Sequence, residues 1–128
     1  MSRVVLDASA ILALLGGEPG SEHLTPELLS NAICSTVNLA EVQSKLVSQG
    51  IAREDAWEAA TSPIREAADF TPAHAELAGT LMLQTRSLGL SLGDRACLAL
   101  ALTAGGAVYT ADSSWKKLKL RIPVRVIR

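Results

Sequence analysis

A chain of 128 residues with 12 Lys plus Arg against 13 Asp plus Glu is long enough for one core and one domain, and too near neutral for a general nucleic-acid coat. Hydrophobic residues reach 48%, carried by Ala, Leu and Val with only two Trp, one Tyr and one Phe, so the core suits helices packed on a sheet. Such hydrophobicity with modest charge excludes disorder, and no apolar run approaches the roughly 18 residues of a membrane span. Cys34 and Cys97 lie in apolar runs without metal-ligand spacing, and no signal-peptide core opens the chain. The expected compartment is the reducing cytoplasm.

Arg3 to Leu6 predicts a short buried strand that stops at Asp7, and Ala8 to Leu15 a helix stopped by Gly16-Gly17. Ser21 to Ser30, with Leu24, Leu28 and Leu29 at helical spacing, predicts a second helix broken near Pro26. Ala32 to Val37 predicts a strand. From Asn38 the period turns helical, and Leu39, Val42, Leu46 and Val47 form a stripe that Gly50 ends. Arg53 to Thr61 predicts an amphipathic helix closed by Pro63, and Ala67 to Phe70 a third strand. Pro72 opens a long helix through Leu77, Leu81 and Leu88 to Gly89. Ser91 to Ala104 is apolar nearly all round and predicts a central buried helix. A strand over Ala107 to Thr110, a short helix over Ser114 to Leu118 and a strand over Val124 to Ile127 complete the chain. This alternation predicts an α/β fold, a doubly wound and mostly parallel sheet with helices on both faces, in one domain over residues 1–128.

Four acids stand where strand-like runs give way to helix-like ones. Asp7 follows Val4-Val5-Leu6, Glu41 follows Thr36-Val37-Asn38-Leu39-Ala40, Asp94 follows Leu92-Gly93, and Asp112 follows Tyr109-Thr110-Ala111. Ligands of parallel sheets bind beyond the carboxyl ends of the strands. Acids gathered there repel one another, and shared protons or bound cations relieve the repulsion. The pattern therefore points to a hard-cation site and to phosphate chemistry. Each acid singly has a plainer reading. Asp7, Asp94 and Asp112 fit helix caps or first-turn acids, and Asn38 with Glu41 fits a capping box. Asp94 enters the most buried helix, where an unpaired carboxylate is costly.

Ser9 and Thr110 each lie two residues from an acid, close enough to orient a carboxylate or a water, with ordinary turn chemistry as the alternative. From Trp115 to Arg128 there are six basic residues, Lys116, Lys117 and Lys119 among them, and no acid. That segment reads either as a solvated edge or as a phosphate-contacting patch. Arg95 is a further candidate for meeting a carboxylate or a phosphate backbone, against simple salt bridging on the helix surface. His23 and His74 are isolated and read as surface residues. Walker and dinucleotide-binding motifs are missing, as is any Ser/His/Asp arrangement.

Val5-Leu6-Asp7-Ala8-Ser9-Ala10, Ser35 to Val42, Gly89 to Ala101 and Tyr109-Thr110-Ala111-Asp112 together resemble the four motifs of the PIN-domain ribonucleases, and within them the VapC-type toxins of toxin–antitoxin pairs. The resemblance covers essentially the whole length, and the stretch around Gly93-Asp94-Arg95 is its most specific part. It implies a three-layer α/β/α sandwich, Mg²⁺ or Mn²⁺ held by Asp7, Asp94, Asp112 and Glu41, and cleavage of RNA, with transfer RNA among the candidate substrates. It also implies a homodimer and a VapB-type antitoxin. Leu12, Leu15, Leu28, Leu29, Leu46 and Val47 exceed what short helices need for one core face, which suggests a groove for an amphipathic antitoxin segment. Leu77, Leu81, Met82 and Leu83 suggest a dimer surface on the long helix.

Three other readings compete. A Mg²⁺-binding receiver domain shows adjacent acids after its first strand, and here Ala8-Ser9 follows Asp7. A dehalogenase-type phosphatase wants Asp-x-Asp, and position 9 is Ser. A metal-free interaction module of the same fold is the non-enzyme alternative, which a divalent-cation thermal shift separates from a nuclease.

Overall fold

Short runs of three or four residues, rich in Val and Ala, form the strands, and the computed structural model describes residues 3–128. The strands are β1 (Val4–Leu6), β2 (Ala32–Ser35), β3 (Glu66–Ala68), β4 (Ala107–Thr110) and β5 (Val124–Val126), joined in the order β3-β2-β1-β4-β5. Each neighbouring pair runs parallel, so the sheet expected to be mostly parallel is wholly so. The helices are α1 (Ala8–Gly16), α2 (Pro26–Leu29), α3 (Thr36–Ser48), α4 (Arg53–Thr61), α5 (Pro72–Thr80), α6 (Met82–Thr85) and α7 (Leu92–Ala104).

Alternating strand residues divide the apolar side chains between two cores, as burial of both faces of a parallel sheet requires. Leu6, Ala32 and Cys34 face one core, completed by Ile11 of α1, Leu39 and Val42 of α3, and Ala56 of α4. Val5, Ile33 and Val108 face the other, with Ala78 of α5, Leu98 and Cys97 of α7, and Trp115. The result is the expected α/β/α sandwich, with one buried thiol in each core. Among the described residues no helix is long and apolar enough to cross a membrane.

The winding sets the position of the site. From β1 the chain passes to β2 and β3 on one side, and the segment from α5 to α7 returns it to β4 and β5 on the other. Strand order therefore reverses between β1 and β4, and in parallel sheets the crevice beyond the carboxyl ends at such a reversal is where ligands bind. Asp7 and Asp112 lie just past those two ends.

Several elements differ from the sequence reading in physically instructive ways. The second strand ends at Ser35, whose hydroxyl accepts the Val37 N–H and caps α3, so this helix starts two residues before Asn38. Asn38 and Glu41 are thus inside the helix, not in a capping box. Pro26 begins α2, capped by Thr25, while Ser21–His23 is a separate 3₁₀ turn. The long helix expected from Pro72 to Gly89 breaks into α5, α6 and a 3₁₀ turn over Arg86–Leu88. Thr80 and Thr85 donate their hydroxyls to the carbonyls of Glu76 and Leu81, four residues back, a bond that loosens and bends helices. The third strand lies at Glu66–Ala68, slightly earlier than expected, where it pairs in register with Ile33–Ser35. His74 is buried rather than on the surface, because with Ala78 it forms the inward face of α5. His23 is exposed.

Candidate metal centre

Asp7 is only 4% exposed and is the most heavily bonded carboxylate of the crevice. Its Oδ1 accepts the Ala10 N–H at 2.8 Å, capping α1, and the Ser9 hydroxyl at 2.8 Å. Its Oδ2 accepts the Thr110 hydroxyl at 2.6 Å, from the end of β4. Ser9 and Thr110 in turn accept the backbone N–H groups of Ala111 and Asp112, which fixes both hydroxyls. Burial pushes the Asp7 carboxyl up from 3.8 to about 6, against these hydrogen bonds, with the charge of Asp94 adding to the rise.

Glu41 reaches the crevice from the second turn of α3. Its Oε1 accepts the Asn38 amide at 2.9 Å, and the same amide donates to the Gly93 carbonyl of α7 at 3.0 Å. Asn38 is buried and its Oδ1 has no hydrogen-bond partner. Both partners of the amide are acceptors, which fixes the side-chain orientation. Gly93 leaves room for Glu41: a Cβ there would lie 2.5 Å from Glu41 Oε2 and displace the carboxylate. The sequence reading assigned Asn38 to a cap and gave Gly93 no role. The available signal was that Asn38 and Glu41 stand three residues apart, and so share one helical face.

Asp94 is half-buried at the start of α7, where its Oδ2 accepts the Ser91 N–H in a true capping box. Asp112 is exposed and uses Oδ1 to hold Ser114 through its N–H and its hydroxyl. Arg95 points away from the acids: its guanidinium donates to the Ala78 carbonyl of α5 at 2.9 Å. Lys116, Lys117 and Lys119 are exposed.

The donor chemistry suits a hard cation. The four acids offer only oxygen, while both thiols are pushed up and held protonated, by burial first. The charges of Asp7, Asp94 and Glu41 each push the Cys97 thiol further up. A cation would offset the burial of Asp7 and its repulsion by Asp94. Among the described residues no three Asp, Glu, His or Cys side chains converge to ligand distance as they stand. A cation such as Mg²⁺ keeps several waters and needs one or two direct carboxylates, so the donor set fits it without a closed cage.

The PIN domain family matches residues 4–120. The chain belongs to the PIN domain family. No curated protein matches it. Among solved structures, a chain of DNA-bound VapBC from Salmonella typhimurium is similar at 16% identity and a TM-score of 0.75, with all of both chains covered. A chain of VapBC2 from Rickettsia felis, bound to a fragment of promoter DNA, is 19% identical with a TM-score of 0.74, covering 98% of each chain. VapC20 of Mycobacterium tuberculosis, a toxin that cleaves the sarcin–ricin loop, is 17% identical with a TM-score of 0.66, covering 91% of this chain and 96% of its own. At such identities the likeness is one of fold, and it places this PIN domain among α/β/α sandwiches of the same winding.

Proposed function

We propose that this PIN domain is a metal-dependent endoribonuclease, the toxin of a toxin–antitoxin pair. The observation that carries the reading is the buried Asp7 carboxylate at the reversal of the sheet, held by Ser9 and Thr110 and raised by burial to about 6. Membership of the PIN family supports it, as does the fold shared with VapC20, described as a toxin that cleaves the sarcin–ricin loop.

Asp7, Asp94, Glu41 and Asp112 would hold Mg²⁺ or Mn²⁺, some of them through water. A bound cation supplies an activated water and positive charge against the phosphate. Ser9 and Thr110 hold Asp7 in one orientation, and Asn38 holds Glu41 against α7. Lys116, Lys117 and Lys119 stand available to the phosphate backbone. Neither histidine side chain hydrogen-bonds an acid, so water rather than the ribose 2′-hydroxyl is the expected nucleophile, and the products carry a 5′-phosphate and a 3′-hydroxyl. Incubation of RNA with Mn²⁺, followed by end analysis, tests this. Full cleavage in excess EDTA, or ends closed as 2′,3′-cyclic phosphates, overturns it.

The acids' failure to converge favours one second reading, a metal-free interaction module. Millimolar Mn²⁺ that leaves the melting temperature unmoved would support the module against the nuclease.

A cleft of about 510 Å³ between α1, α3 and α4, lined by Leu12, Leu15, Leu46, Ile51, Lys45 and Arg128, is the proposed seat of the antitoxin's amphipathic segment. Leu28 and Leu29 pack on the core instead, and Val47 is exposed outside the cleft. Leu83, 71% exposed, with Met82 and Leu92, is the proposed homodimer surface, because Leu81 turns into the core. Light scattering showing a monomer at micromolar concentration overturns the dimer.

A further inference from the structure

The basic C-terminal segment is one run in sequence and two separate hollows in space. Lys117 and Lys119 line one of them with Gln84, Ser87 and Leu88. Lys116 lines the other, a cleft of about 430 Å³, with Arg125, His23, Tyr109 and the apolar Val124, Val126 and Ile127.

The second cleft is the one tied to the acids. Tyr109 accepts the Asp7 N–H on its backbone carbonyl and directly precedes Thr110, whose hydroxyl holds Asp7. Lys116 rides on the 3₁₀ turn, Ser113–Lys117, that Asp112 caps. Tyr109 and Arg125 are register partners on β4 and the edge strand β5, so their side chains leave the same face of the sheet. The lining holds three nitrogen-bearing side chains, the only tyrosine of the chain and no acid. Its volume falls within the roughly 300–1,000 Å³ of small-ligand pockets.

Single-stranded RNA is held by bases stacked on aromatic rings and by cations along the phosphates. We infer that this cleft is a nucleotide subsite, in which Lys116 and Arg125 take an RNA phosphate and the Tyr109 ring takes the adjoining base. The assignment rests on the ribonuclease reading and deepens it, by naming the path of the strand beside the reacting phosphate. His23 contributes a hydrogen-bonding wall to the same nucleotide.

Binding without chemistry provides the test. A short fluorescent single-stranded RNA is titrated with protein in EDTA at several salt concentrations. Arg125 is exposed, so Arg125→Ala keeps the fold; it is expected to weaken binding and to reduce the slope of log affinity against log salt by about 0.7, the share of one phosphate on a single strand. Tyr109→Leu is expected to weaken binding about tenfold with the salt slope unchanged, as loss of stacking does. Arg65→Ala, exposed just before β3 at the amino end of the sheet, is expected to change neither. Wild-type affinity and slope in Arg125→Ala would overturn the cleft, and so would an equal loss in Arg65→Ala. If wild type cleaves RNA in Mn²⁺ and Asp94→Asn does not, that failure belongs to the subsite alone. A wild-type chain that neither binds nor cleaves RNA overturns both readings.

Discussion

The two ends of the sheet are punctuated by different chemistry. At the carboxyl end helices begin on polar side chains: Asp7 caps α1, Ser35 caps α3, Ser91 and Asp94 together cap α7, and Asp112 caps the turn after β4. At the amino end helices finish on glycine, with Gly17 after α1 at φ 61° and Gly105 after α7 at φ 74°. There the backbone alone satisfies the last carbonyls, and a Cβ at either glycine would meet nothing within 4 Å. Both devices end a helix equally well. Only a capping carboxylate has a second oxygen to spare, so one end of the sheet gains a chemical surface and the other gains none.

The largest break in that contrast is expected from Asp94→Asn. Asn retains an oxygen for the Ser91 N–H, so the cap and the melting temperature should survive while the rate of RNA cleavage falls at least about a thousandfold. Retained cleavage would show that the cap is merely a cap. Next is the pH response of Asp7. Because folding raises this carboxyl from 3.8 to about 6, its neutral form favours the native state. That contribution is complete below pH about 4 and is lost as pH rises through about 6, a loss of about 3 kcal/mol by neutral pH. Urea unfolding of cation-free protein across that window should show the loss, Asp7→Asn should flatten it, and Mn²⁺ should reverse it at neutral pH.

Smaller effects are expected from the residues that hold Glu41. Asn38→Ala and Gly93→Ala should each lower cleavage about 10–100-fold and weaken the Mn²⁺ thermal shift, the first by freeing Glu41 and the second by displacing it. Unchanged cleavage with an unchanged thermal shift would remove Glu41 from the site. At the opposite end, Gly17→Ala should cost about 1 kcal/mol of stability, through its left-handed backbone, with no change in cleavage per folded molecule. A loss of activity there would erase the distinction between the ends.

Asp7, Asp94 and Asp112 were legible because each follows an apolar run and precedes another, and strand-then-helix order places such residues at one edge. The parallel sheet followed from the same alternation. Asn38 was not legible as Glu41's holder, since its second bond goes to Gly93, 55 positions away, and only tertiary packing creates it. The broken helix after Pro72 escaped for a local reason. Its leucines keep the helical period through Leu88, whereas Thr80 and Thr85 bend the backbone with hydroxyls that leave that period intact. The charge of the C-terminal run was plain, but its division required the twist that sends Lys116 and Lys117 to different sides.

Cys34 and Cys97 are fully enclosed, one on each side of the sheet, and held as thiols. The folded molecule is therefore silent to alkylating reagents, and each sulfur becomes reactive only when its own layer opens. Labelling kinetics, read separately at the two positions, would clock the opening of the α1 layer and the α7 layer in an unmodified chain. Equal rates would mean that the sandwich opens as one unit; a faster Cys34 would mean that the layer under the proposed antitoxin cleft loosens first.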